Sequence, residues 1–153
     1  MIRLRDLPPE LATRVGLSLD IEERIVHVLQ EKQFSRSAMS ETADDLGGLN
    51  RGTVAEYFRG YCFTTFLQHR FDFNSATTAI SGRSDEATRQ RVSKKLMEYL
   101  SNAIQLVDRA QPLDFSLNAS RQKYKNLPQR YHSSLDEIIK SYHASLWSLP
   151  PEA

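Results

Sequence analysis

Asn50, Arg51, Thr53, Glu56 and Arg59 sit in one short stretch, with apolar Val54 and Phe58 at helical spacing between them. These side chains could read nucleic-acid bases. Arginine pairs bidentately with guanine, asparagine with adenine, and glutamate accepts from the amino group of cytosine. Asn50 and Thr53 could instead hold phosphates at a helix start, where free N–H groups attract anions. The bland alternatives are that Asn50 only caps a helix and Arg51 is a solvated charge; Arg59 would point toward the phosphate backbone. Ser35, Arg36 and Ser37 form a second set, either phosphate clamps or a capping serine beside a solvent-facing arginine. The third set is Arg83, Ser84, Arg89, Arg91 and Lys94, in a basic run that also holds Lys95. It could grip a second length of backbone or be an ordinary solvated face.

These sets require elements that position them. Residues 34–60 read as two short helices around a glycine-containing turn. Small residues (Ser37, Ala38, Ala43) fill the first helix and Leu46 closes it. Gly47-Gly48 breaks it, Leu49 is an apolar plug, Asn50 caps the next helix, and that helix buries Val54 and Phe58. This is the sequence form of a helix-turn-helix, whose second helix places its N-terminal side chains in the major groove. Before it, Asp20 caps a helix with Glu22 and Glu23 in its first turn and Ile21, Ile25, Val28 and Leu29 on one apolar face. After Gly60, Tyr61, Phe63, Phe66, Leu67 and Phe71 predict a buried helix that continues or closely follows.

The second half repeats the plan. Thr77, Ile80, Gly82, Thr88 and Val92 fall at the offsets of Ala43, Leu46, Gly48, Val54 and Phe58, with Ser84 as the N-cap matching Asn50. An unrelated helical hairpin is the alternative. A long basic helix is expected from Asp85 to about Asp108, with Val92, Leu96, Tyr99 and Leu100 as its apolar stripe, extended by Ile104 and Val107. Pro112 stops it. A basic tail (Arg121, Lys123, Lys125, Arg130) and a final amphipathic helix over 133–147 follow. No sustained period-two alternation occurs, so the expected fold is all-α: one or two tandem helix-turn-helix units and a C-terminal amphipathic helix. The divisions expected are an arm over 1–16, a first unit over 17–67, a second over 68–110 and a helical extension over 111–153.

Composition bounds the rest. The chain has 153 residues, with 20 Lys and Arg against 19 Asp and Glu, a net charge of +1. A nucleic-acid partner therefore requires positive charge gathered on one face. No apolar run approaches the roughly 18 residues of a membrane span, and the N-terminus does not read as a signal peptide. Cys62 is the single cysteine, which excludes an intrachain disulfide and fits a reducing cytoplasm. His27, His69, His132 and His143 lie far apart without metal-ligand spacing. His27, beside apolar residues of its helix, reads as packing, and Cys62 among aromatics as a small buried hydrophobe. There is no GxSxG elbow and no GxxxxGK[ST] phosphate loop, and the Asp44-Asp45 pair reads as solvated. No catalysis, metal or cofactor is expected.

The opening IRLRDLPPEL and the stretch from Ile25 through Gly60, with its helix start Asn50-Arg51-Gly52-Thr53-Val54, carry a resemblance. They resemble the C-terminal DNA-binding region of sigma-54-dependent bacterial transcriptional activators, the enhancer-binding proteins, with their Fis-type helix-turn-helix. The resemblance implies sequence-specific binding of double-stranded DNA in transcription regulation, as a homodimer. It also implies either a C-terminal fragment of an activator, with an AAA+ ATPase module of the same full-length protein as a partner, or a stand-alone relative. The alternative is a helical protein-interaction or dimerisation module that does not read DNA.

Overall fold

The computed structural model describes residues 21–47, 49–82 and 85–147. The expected arm over 1–16, the cap Asp20, and Gly48, Arg83, Ser84 and Pro150-Pro151 lie outside them. The described residues are all-helical, with no strand among them. The order is α1 (21–31), α2 (Ala38–Asp45), α3 (Arg51–Gln68), α4 (Phe73–Ser81), α5 (Glu86–Ile104) and α6 (Leu113–Lys123). A 3-10 turn (Gln129–Tyr131) then leads into α7 (His132–Trp147). None of these helices is long and apolar enough to cross a membrane.

Helix α3 is the centre of the molecule. Asn50 starts it, its side-chain oxygen accepting from the Gly52 amide at 2.6 Å. It continues through Gly60 to Gln68 because Val54, Phe58, Cys62, Phe63 and Thr65 are buried on several sides of the cylinder. Its first turn is open, with Arg51 and Gly52 exposed, and Gln68 is exposed at its far end. One apolar cluster runs from Ile25 and Leu29 through α3 to Val92, Leu96 and Tyr99 of α5 and Leu135 and Ile139 of α7. The sequence segments on either side of Gly82 therefore share a core.

Two close approaches fix the frame. A Cβ on Gly60 would lie 2.0 Å from a Tyr131 ring carbon, so only glycine lets the 3-10 turn press against α3. The Tyr131 hydroxyl donates to the Glu22 carboxylate, which also receives Arg130 at 3.1 Å. That pair ties α1 to the α6–α7 connection. Gly82 ends α4 with φ 60, and a Cβ there would strike the Gln30 amide, which donates to the Ile80 carbonyl at 3.1 Å.

Several expectations are corrected. The cap of α5 is Asp85 and not Ser84: its carboxylate accepts from the Thr88 amide at 3.1 Å and the Thr88 hydroxyl at 2.6 Å. The helix then ends at Ile104, short of Asp108. His27 is not packing; it faces solvent, 2.7 Å from Glu31. Phe71 lies in a turn and is 41% exposed. Asp45 is not simply solvated, since it receives Lys32 at 3.0 Å. Helix α6 is unanticipated. Thr77, Ile80, Thr88 and Val92 are buried, and Cys62 is fully buried, which pushes its thiol pKa up.

Candidate nucleic-acid interface

The site begins in the connection after α1. Gln33 and Phe34 both adopt left-handed backbone, at φ 56 and 50, and the Phe34 amide reaches back to the Leu29 carbonyl at 3.0 Å. The reversal turns the Phe34 ring inward onto Phe58, with centroids 5.4 Å apart. Ser35, Arg36 and Ser37 are thereby left exposed at the start of α2. Ser37 occupies the N-cap position without capping; its hydroxyl donates to the Glu41 carboxylate. That bond, followed by Lys32, holds the Glu41 pKa down, while the hydrogen bond to Asp45 leads in holding Lys32 up.

Helix α5 closes the other side. Arg91 donates through Nε to the Gln33 carbonyl at 2.9 Å and so pins the left-handed turn. Lys94 and Lys95 stand exposed further along. Lys95 lies 4.0 Å from Glu98 and 5.9 Å from the centre of the Tyr99 ring. The result is a groove of about 480 Å³ floored by Leu29, Phe34 and Phe58. Its rim carries Arg36, Arg51, Arg91, Lys94 and Lys95, with Glu98 the one carboxylate. A chain of nearly balanced charge thus presents five cations to one anion in a single concavity. Ser35 and the first residue of α2, Ala38, also line it, so the positive ends of α2 and α3 both adjoin the groove.

A second depression, of about 600 Å³, flanks the same first turn of α3. Asn50, Gly52, Thr53, Glu56 and Tyr57 line one wall, and Asn126 and Pro128 come from the connection after α6. Glu56 is paired with Arg59. The Arg59 guanidinium lies over the rings of Tyr99 and Tyr124, at 5.0 and 6.0 Å. Burial raises the pKa of both phenols, so the rings beneath that guanidinium stay neutral.

The structure thus divides the expected contact residues. Ser35, Arg36, Arg51, Arg91 and Lys94, drawn from both halves of the sequence, meet in the basic groove. Asn50, Thr53 and Glu56 meet in the polar depression. Ser37 stays engaged with Glu41, and Arg59 is held over aromatic rings. Arg89 lies outside both concavities, 3.7 Å from Glu86. Lys95 joins the groove from within the basic run. Tyr57 and Asn126 had no sequence signal, because only the packing of Tyr131 on Gly60 brings the α6–α7 connection beside α3. Among the described residues no group of three or more His, Cys, Asp and Glu is placed to hold a metal.

Comparison with protein-family models, with curated proteins and with solved structures finds no match to this chain.

Proposed function

We propose that this chain binds double-stranded DNA, with the basic groove on the phosphate backbone and the polar depression toward the base edges. The observation that carries the reading is the convergence of five cations, from the turn before α2 and from helices α3 and α5, on one groove in a chain of net charge +1. Arg51 stands among those cations, away from the polar wall, and is assigned to phosphate. Thr53 is assigned to base edges together with the NH₂ of Asn50, whose oxygen caps α3, while Glu56 is held by Arg59. The buried middle of α3 serves as a rigid mount for its exposed first turn. The resemblance to the DNA-binding region of sigma-54-dependent activators adds a role in transcription regulation in the cytoplasm. As such a regulator the chain acts as a homodimer on half-sites about 34–36 Å apart or multiples of it, coupled to an AAA+ module of the same protein.

The test is duplex binding against salt. Five neutralised phosphates give a log–log slope of about −4.5, and the triple variant Arg36→Ala, Arg51→Ala, Lys94→Ala reduces its magnitude by about 2.7. Arg91 is left in place because it fixes the Gln33 turn. Undetectable or salt-insensitive binding by the wild type removes the reading.

A second reading, a protein-interaction module, draws on an apolar groove of about 280 Å³ lined by Phe66, Phe71, Leu100, Ile104, Ile138 and Tyr142. Undetectable binding to duplex DNA favours it.

A further inference from the structure

Resting on that DNA reading, we infer that Asn126 is a specificity-determining residue, supplying the bidentate amide contact to an adenine edge. Reading adenine through N6 and N7 takes one side-chain amide with both its oxygen and its NH₂ available. In the polar depression Asn50 has committed its oxygen to the Gly52 amide at 2.6 Å, and Glu56 holds Arg59. Asn126 lines the same depression and is exposed, and its side-chain amide has no hydrogen-bond partner among the described residues. Both halves of its amide are open.

The backbone beneath it is fixed. Tyr124 and Leu127 on either side are buried, and the Leu127 amide donates to the Tyr124 carbonyl at 3.0 Å. The Leu127 carbonyl in turn accepts from the His132 ring at 2.9 Å. An open amide on an anchored turn is preorganised to read, whereas one on a loose loop would lose affinity to ordering. Sequence choice is then shared between the start of α3 and a segment far along the chain.

The experiment uses the full chain and a randomised pool of duplex DNA. Wild type and Asn126→Ala each pass through rounds of selection. The wild type should enrich a motif with an adenine-specific position. The variant should lose preference there by roughly five- to a hundredfold while the preferences at the other positions of the motif are kept. The same motif from both proteins overturns the role of Asn126 and leaves the basic-groove reading standing. Salt-dependent binding by the wild type with no motif enriched does the same. No duplex binding at all overturns this inference together with the reading beneath it.

Discussion

The turn at Gln33–Phe34 and the turn at Arg70–Phe71 are the same backbone device set in different walls. Each has two successive left-handed residues that are not glycine, with φ of 56 and 50 in the first and 56 and 64 in the second. Each is closed by its phenylalanine amide on the carbonyl five residues back, Phe34 to Leu29 and Phe71 to Phe66, both at 3.0 Å. A short helix follows each turn, and a glycine with positive φ follows each helix, Gly47 and Gly82. Yet Phe34 is 9% exposed and Phe71 41%. Phe34 lands on Phe58 in the middle of α3, and Arg91 seals the turn above it. Phe71 lands on Phe66 of the helix it has just left, at 5.5 Å. The third wall decides the chemistry: α5 brings Arg91, Lys94 and Lys95 to the first groove, and Leu100 and Ile104 with α7 to the second.

The sharpest way to break this comparison is to delete the two rings. Phe34→Ala removes a buried ring from the core and should cost about 3 kcal/mol, whereas Phe71→Ala, already half in solvent, should cost about 1 kcal/mol. Denaturant midpoints measure both. Equal losses would mean that the two turns are equally embedded and that the contrast in exposure carries no energetic meaning.

A smaller effect tests the shared backbone. Left-handed geometry disfavours a side chain by roughly 1–2 kcal/mol, while glycine adds freedom to the unfolded chain. Gln33→Gly and Arg70→Gly, both at exposed positions, should therefore each stabilise the fold by about 0.5–1 kcal/mol. A gain at Arg70 with a loss at Gln33 would show that the first turn depends on its side chain and that the two are alike only in outline.

What could be read from the sequence follows the same division. The start of α3 was legible because Asn50 is a capping residue and Val54 and Phe58 carry a simple helical spacing. The buried stripe of α5 was legible for the same reason. Helix α6 was not, since the residues it buries are Ser116 and Ser120 while Phe115 is 54% exposed. Leu113 and Leu117 pack on the core from the same face, but two apolar residues interleaved with serines are too few to stand out as a hydrophobic period. The left-handed turns were hidden because glutamine, phenylalanine and arginine give no sign of positive φ, where glycine would have. With those turns unseen, the members of the basic groove could be named but not brought together, and Asn126 could not be named at all.

The smallest effect separates the starts of the two short helices. Asp72 caps α4, its carboxylate accepting from the Ser75 amide at 3.0 Å, whereas the Ser37 hydroxyl passes over the backbone amides of α2 and bonds the Glu41 side chain. That hydroxyl is the leading cause of the low Glu41 pKa, with Lys32 assisting against partial desolvation. A carboxylate whose folded pKa lies below its ordinary 4.5 contributes stability above that value and loses it as pH falls through the folded pKa. Ser37→Ala should therefore move the Glu41 titration upward, toward the ordinary value, in a side-chain carboxyl NMR experiment. Because Glu41 is exposed, the global stability change should stay small. An unmoved Glu41 titration would assign the low value to Lys32 and leave Ser37 free to face the groove, as Ser35 does. In that case the start of α2 would offer Ser37 as well as Ser35 to an anion, and its contrast with the carboxylate-capped start of α4 would widen.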